Sequence, residues 1–323
     1  MSPTIRFKYP FECFLEFQSV DRFLYRVSDL YDLDQYPDKK ILERLDNCHI
    51  YILGKRPRLS AIPDSIRATS DAILFDITYK IAGISQKETI EIPRQILGPE
   101  DYTFQISPYP HRELISLDKN GSIVSYTLLA NLAHVIPNLQ QEAKDLEVIY
   151  VGKGLRRSAQ DRLENHATLQ RILADVNSND PDSEIFSLVY AFNYRKVFMK
   201  HDKQPCRISG DLAEKKMKQA LNYKMPLNER ISLIEASCIS YFRTEKYNTH
   251  YLSFPSDNNK ILNPVYENDF SAIVVQLDQE NIGDLRIFSK TNKARSTHYI
   301  IVDFRKNEGF LSIFDAIPQS YRA

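Results

Sequence analysis

The stretch from Leu227 to Phe242 constrains the fold most, because it combines the periodicity of a helix with a carboxylate on the apolar face. The residues at the core-facing spacing of this helix are Ile231, Glu235, Cys238, Ile239 and Phe242. A charge on that face is costly unless it is paired. The sequence therefore predicts either an ion pair to a basic side chain or a divalent metal ion bound to Glu235.

An earlier helix carries the opposite charge on its apolar face. Arg162 and His166 are four residues apart, and the same face continues through Leu169, Leu173 and Val176. A guanidinium in this position requires a carboxylate or a phosphate that it binds with two hydrogen bonds. For Arg162, a structural salt bridge with Glu235 and a role at a phosphate site both remain open.

A strand from Glu147 to Val151 precedes that helix and ends in Gly152, Lys153 and Gly154. Glycines at a strand end allow close approach of another backbone or of a phosphate. A plain turn between a strand and a helix would use the same residues. The spacing excludes a Walker A loop, because a second glycine followed by Lys and Ser or Thr is missing.

The coarse order through the middle of the chain is strand, strand, helix, strand, helix. The first two strands are predicted to form a hairpin with a long tip; they run from Ile123 to Leu129 and from Glu147 to Val151. Further strands are predicted at 272–277, 284–288, 298–304 and 310–313. Near the N-terminus we predict a strand at 5–17, a helix at 39–47 and strands with alternating apolar residues at 75–81 and 89–92.

The fold class is therefore α+β. Three domains are predicted: a mixed domain at 1–118, a central domain at 119–252 with a small mixed sheet flanked by helices, and a β-rich domain at 253–323.

Composition limits the classes of function. The 323 residues include 43% apolar and 26% charged residues, typical of a globular protein. The formal net charge is zero, so attraction to nucleic acid must be local. Residues 195–224 hold nine Lys or Arg against three Asp or Glu, a local charge of +6 that indicates either a solvated face or a nucleic-acid contact.

Two further absences are informative. The four cysteines form no CxxC pair with zinc-ligand spacing, which favours buried reduced thiols. No apolar run approaches the roughly 18 residues that span a bilayer, and the first residues do not read as a signal peptide. We therefore expect a cytoplasmic protein without a membrane partner.

Four motifs together resemble the GIY-YIG endonuclease superfamily, including its bacterial and phage members. They are Tyr150-Val151-Gly152, the Arg162 and His166 pair, Glu235 on a later helix, and Asn248. Their order and element types agree with the Tyr-Ile-Gly, Arg-x-x-x-His, Glu and Asn motifs of that superfamily over about 130 of 323 residues. The first motif departs, because Gly-Ile-Tyr is expected and this chain offers Val124-Ser125-Tyr126.

The resemblance implies a metal-dependent endonuclease that hydrolyses phosphodiester bonds, with DNA favoured over RNA. The catalytic residues that it implies are Tyr126 or Tyr150 as general base, Arg162 at the scissile phosphate, His166 as a hydrogen-bonding partner, and Glu235 as the ligand of Mg²⁺ or Mn²⁺. The residues expected on the substrate side are Gly152, Lys153, Arg157 and Asn248, of which Asn248 supports the site. Two alternatives stay open: a nucleic-acid-binding module without cleavage, and a protein-interaction scaffold with an internal Glu235 salt bridge.

Overall fold

The computed structural model describes residues 6–29, 39–99, 101–154, 167–201, 204–256, 259–306 and 308–316. The predicted α+β class is confirmed: a seven-stranded mixed sheet carries helices, and smaller sheets stand beside it. Within the described residues, no helix is long and apolar enough to cross a membrane.

The elements are numbered along the chain. The strands are β1 (Phe11–Arg26), β2 (Ile50–Pro57), β3 (Ser60–Ala61), β4 (Arg67–Ala68), β5 (Ala72–Ile81), β6 (Ile84–Pro93), β7 (Thr103–Ile106), β8 (Glu113–Leu117), β9 (Ile123–Leu128), β10 (Leu146–Lys153), β11 (Ser183–Lys200), β12 (Ala272–Asp278), β13 (Ile287–Phe288) and β14 (Thr297–Asp303). The helices are α1 (Lys39–Asp46), α2 (Arg94–Leu97), α3 (Leu129–Leu132), α4 (Gln141–Lys144), α5 (Ala167–Asn179), α6 (Asp211–Asn222), α7 (Leu227–Phe242) and α8 (Asn263–Glu267).

The large sheet has the order β13-β10-β2-β11-β1-β12-β14. Its centre is antiparallel, from β10 through β2 and β11 to β1. Parallel pairs join β1 to β12 and β10 to β13, and β12 pairs antiparallel with β14. The sheet thus takes strands from all three stretches of the chain, 1–118, 119–252 and 253–323.

Each face of the large sheet is buried against a different helix. Ile50 and Ile52 belong to the core around α7, whereas Tyr51 and Leu53 belong to the core around α5. Successive side chains of a strand point to opposite faces, so alternate residues of β2 support the two cores. The predicted apolar faces of both helices are confirmed, since Leu169 and Val176 of α5 and Ile231 of α7 are buried.

An inserted segment, residues 58–145, connects β2 to β10 and has a core of its own. It contains β5 with β3, β4 and β6, and a separate sheet of β7, β8 and β9. The predicted alternation on β5 is confirmed, because Phe75, Ile77 and Tyr79 are all buried. The segment therefore packs as a unit with β2 and β10 as its two points of attachment.

The predicted hairpin of the strands at 123–129 and 147–151 is wrong. Strand β9 pairs with β8, whereas β10 pairs with β2. The turn between β8 and β9 is closed by Asp118, whose carboxylate accepts the backbone N–H groups of Asn120 and Ser122 at 2.8 Å each. A tight local turn costs less chain entropy than a long connection, and this favours the pairing of β9 with β8.

Other predicted elements differ in detail. The helices predicted at 39–47 and 227–242 are confirmed as α1 and α7, and the strands at 272–277 and 298–304 as β12 and β14. The strand at 284–288 shortens to β13, because a turn with Gly283 at φ 56° precedes it. The strand predicted at 310–313 is wrong: Ser312 N–H bonds to the Asp315 carboxylate at the start of a 3₁₀ turn.

Candidate active site at the start of strand β2

Strand β2 brings an Ile-Tyr sequence beside Tyr150-Val151-Gly152. In the antiparallel register of β2 and β10, Tyr51 is opposite Gly152 and Ile52 is opposite Val151. The rings of Tyr51 and Tyr150 lie on the same face of the sheet, with their centroids 6.0 Å apart. Both side chains are buried at this end of β2, which we call the front end: residues 49–51 with residues 152–154.

Gly152 gives the Tyr51 phenol its position. A Cβ atom at Gly152 would overlap the Cζ and hydroxyl atoms of Tyr51. Any other residue at position 152 would displace the phenol, so the glycine is required by close approach. The hydroxyl of Tyr51 consequently lies against the last residues of β10.

Helix α7 brings Glu235 to Lys153, which follows Gly152 and is the last residue of β10. The Nζ atom of Lys153 lies 2.8 Å from Oε2 of Glu235 and 3.0 Å from the Ser232 hydroxyl. The Glu235 side chain is only 13% exposed, compared with 22% for Lys153. Lys153 supplies the cation that Glu235 was predicted to require. Lys153 itself was predicted to bind substrate.

Asn248 fixes the open edge of β10. Its side-chain amide accepts the N–H of Val151 at 3.1 Å and donates to the carbonyl of Val151 at 2.9 Å. Thr244 donates a further hydrogen bond of 2.7 Å to the same amide oxygen. The partner strand β13 reaches only Leu146 and Glu147, so Asn248 supplies the backbone pairing that a neighbouring strand would give at Val151.

The structure does not bring Tyr126 to this site. Tyr126 lies on β9, in the sheet of the inserted segment, and its side chain is 58% exposed. Tyr150, Gly152 and Lys153 lie on the last residues of β10, Glu235 pairs with Lys153, and Asn248 bonds to Val151. The predicted residues Arg157, Arg162 and His166 lie outside the described residues.

A cleft of about 370 Å³ adjoins the front end and is lined by His49, Tyr194 and Arg230. Burial lowers the pKa of His49, and the nearby Arg230 guanidinium lowers it further, so the imidazole is neutral at pH 7. Arg230 lies over the Tyr194 ring at 5.3 Å. Buried polar atoms of all three side chains have no hydrogen-bond partner among the described residues, which indicates a place for solvent or a ligand.

The donor set restricts how a metal ion could bind. Among the described residues, no group of three or more His, Cys, Asp and Glu side chains is arranged around a common centre. Glu235 is the predicted ligand, and Mg²⁺ binds through one or two carboxylates when phosphate oxygens and water complete its shell. The front end therefore fits a magnesium ion that Glu235 binds while phosphate oxygens and water complete its coordination shell.

Tyr51 is a site residue that the sequence motifs did not indicate. The available signal was the Ile50-Tyr51 pair at the start of an apolar run that ends at Gly54. The inserted segment separates this pair from Tyr150 along the chain, so local spacing gave no reason to join them. Only the strand register shows that they are neighbours.

No protein-family model, no curated protein and no solved structure matches the chain.

Proposed function

We propose that this chain is a divalent-metal-dependent endonuclease of the GIY-YIG type that hydrolyses phosphodiester bonds of nucleic acid, with DNA as the expected substrate. The observation that carries the proposal is the pairing of β2 with β10, which sets Tyr51 against Gly152, the residue before Lys153, whose ammonium pairs with Glu235. In the proposal, Ile50-Tyr51 replaces Ser125-Tyr126 as the end of the first motif. The inserted segment then occupies the tip of the hairpin that joins the first two motifs.

The residues of the front end have distinct roles in this proposal. Tyr51 takes the proton of the attacking water, and Tyr150 packs beside it. Lys153 orients the Glu235 carboxylate and is long enough to contact a phosphate oxygen. A magnesium ion held by Glu235 would supply charge stabilisation at the leaving oxygen. Arg162 and His166 keep the phosphate-binding and hydrogen-bonding roles that the resemblance implies.

Asn248 acts as a support for the site. By satisfying both backbone groups of Val151, it holds the strand that presents Gly152 and Lys153. A site that is preorganised by such bonds does not have to be ordered during the reaction. We therefore assign Asn248 to positioning, with no direct contact to substrate.

A second function is favoured by one observation. The ammonium of Lys153 lies 2.8 Å from the Glu235 carboxylate, where it competes with a metal ion. If the pair persists when nucleic acid binds, the chain is a nucleic-acid-binding module without cleavage. The basic stretch 195–224 would then contribute to binding.

The test is nicking of supercoiled plasmid, single-stranded DNA and RNA by the full chain with Mg²⁺ or Mn²⁺. Glu235→Gln removes the charge of the ligand and keeps its shape, and we expect a rate at least about 100-fold lower, because metal catalysis is worth several kcal/mol. Glu245→Gln, at an exposed carboxylate just beyond α7, is the matched control and should cut at the wild-type rate.

Chelation must abolish cleavage by the wild-type chain. Cleavage that survives chelation or the Glu235→Gln substitution contradicts the nuclease proposal. Binding of nucleic acid that weakens steeply with salt, without cleavage of any substrate, would instead support the binding module.

A further inference from the structure

A second cleft, of about 360 Å³, lies at the opposite end of β2 and is lined by three arginines. Arg26 ends β1, Arg58 follows the last residue of β2, and Arg112 belongs to the inserted segment just before β8. Ser183 and Glu184 at the start of β11 line the cleft as well. We call this group the arginine cleft.

The three guanidinium groups are unequally paired. Arg26 bonds to the Asp29 carboxylate at 2.7 Å. Arg58 and Arg112 share a single oxygen of Glu184, at 3.8 Å and 3.5 Å, distances beyond a normal hydrogen bond.

Arg58 and Arg112 are also short of acceptors. The side chain of neither makes a hydrogen bond to another described residue, and the Nε atom of each is buried without a partner. Buried donors of this kind are rare in proteins, and each calls for an acceptor such as a ligand or water. The side chains are still about 28% and 30% exposed, so a ligand can reach their outer nitrogen atoms.

The charge of the cleft is also unbalanced. Three arginines face two carboxylates, Glu184 and Asp29, which leaves one positive charge. Burial lowers the pKa of Arg112, and repulsion by Arg58 and Arg26 lowers it further. The acidic residues nearby do not compensate, because Asp180 is bound by Lys55 at 2.6 Å and Asp182 by Lys80 at 3.1 Å.

A phosphate supplies what the arginine cleft lacks. Its oxygens accept two parallel hydrogen bonds from a guanidinium, and its charge offsets the repulsion between neighbouring arginines. The hydroxyl of Ser183 is a further polar group in the lining, although it already donates to Asp180 at 2.9 Å.

We propose that the arginine cleft binds a backbone phosphate of the nucleic acid, several nucleotides from the bond that is cut. The inference rests on the proposed nuclease function, which it extends by a second contact point. The eight residues from Tyr51 to Arg58 span about 23 Å of extended chain. Along one strand of duplex DNA, phosphates follow each other about every 3.4 Å of helix axis, so the two sites are about seven nucleotides apart.

This placement gives the inserted segment a part in substrate binding. Arg112 comes from that segment, whereas Arg26 and Glu184 come from the large sheet. A phosphate in the cleft would bridge the two units and fix the register of the substrate on β2. Contacts of this type position a nucleic acid without reading its sequence.

The test measures binding by the full chain to a fluorescent 30-base-pair duplex, in chelator to prevent cleavage, across a series of salt concentrations. The double variant Arg58→Ala, Arg112→Ala should bind about 10- to 100-fold more weakly at low salt, and the slope of log K against log salt should fall by about 1 to 2. Arg67→Ala removes an exposed arginine of the inserted segment outside the cleft and is the matched control, with unchanged binding.

A second double variant, Arg58→Lys with Arg112→Lys, covers the case in which the alanine variant does not fold. It keeps both charges and loses the planar fork, so the salt slope should remain while the affinity falls. Wild-type affinity and slope in a folded alanine variant would overturn the proposal, even if Glu235-dependent cleavage is intact.

Inorganic phosphate and pyrophosphate serve as separate probes for the source of the phosphate. If they raise the melting temperature of the wild-type chain and not of the double variant, while the duplex does not bind, the cleft takes a free phosphate and the nucleic-acid proposal is overturned. Competition between pyrophosphate and the duplex, lost in the double variant, supports it.

Discussion

The two ends of β2 differ in how completely the charges of their acidic and basic side chains are paired. At the front end, Lys153 neutralises Glu235, and Asn248 satisfies both backbone groups of Val151. At the rear end, which we define as Arg56 to Arg58 with Arg112 and Glu184, one carboxylate oxygen serves two guanidinium groups at long distance. The paired end is arranged to hold a fixed geometry, and the underpaired end is arranged to receive an anion.

The excess of cations at the rear end continues into the core. The guanidinium of Arg56 lies 4.1 Å from the Phe186 ring and donates to the carbonyl of Ala130. Burial lowers the pKa of Arg56 to about 10. A guanidinium stays charged even in this setting, so the rear end remains positive at neutral pH.

The largest expected effect on stability tests the pairing at the front end. Asn248→Ala leaves the N–H and carbonyl of Val151 without partners in a buried position, and we expect the free energy of unfolding to fall by about 3 kcal/mol. Chemical denaturation of both proteins measures this difference. Asn222→Ala, at an exposed residue of α6, is the control and should change it by less than about 0.5 kcal/mol.

If Asn248→Ala lowers the free energy of unfolding by as little as the control does, water replaces the amide at the edge of β10. The front end would then be no better paired than the rear end, and the comparison would fail.

A smaller effect, on the pH dependence of stability, tests the rear end. Burial, together with the charge of Arg56, lowers the pKa of His134 to about 4 in the folded protein. Between pH 6.5, the usual pKa of histidine, and pH 4, His134 is protonated in the unfolded chain and neutral in the folded chain. The free energy of unfolding therefore falls as the pH falls from about 6.5 to about 4. We expect a contribution of roughly 2 kcal/mol.

His134→Gln should remove this contribution, so that the unfolding free energy at pH 4.5 approaches its value at pH 7 more closely than in the wild-type chain. Denaturation at both pH values gives the measurement. His250→Gln, at an exposed histidine, should leave the pH dependence unchanged. Equal pH dependence in His134→Gln and the wild-type chain would show that the rear end does not repel a further proton.

Local patterns were sufficient for helices α1 and α7 and for the ion pair of Glu235. The apolar spacing of 227–242 predicted both ends of α7 and the need for a cation at Glu235. The glycine at 152 was singled out because strand ends with glycine allow close approach, and Tyr51 makes that approach. The apolar spacing and the glycine that led to these predictions each lie within a short stretch of the sequence, whereas the partners Tyr51 and Lys153 come from distant segments.

The rest depends on contacts between distant segments. Tyr51 and Gly152 become neighbours only because β2 and β10 pair around the inserted segment. Likewise, Arg26, Arg58 and Arg112 each lie in an ordinary sequence context and meet only in the folded chain. A single sequence carries no spacing that would show such pairs.

The most direct test of the central claim compares two tyrosines in the plasmid-nicking assay. Tyr51→Phe keeps the ring against Gly152 and removes the hydroxyl, and general-base catalysis is worth about 100-fold or more in rate. We expect Tyr51→Phe to lower the rate of cleavage by at least about that factor and Tyr126→Phe to leave it at the wild-type value. Wild-type cleavage by Tyr51→Phe, or loss of cleavage in Tyr126→Phe, would contradict the assignment of the active site to the front end of β2.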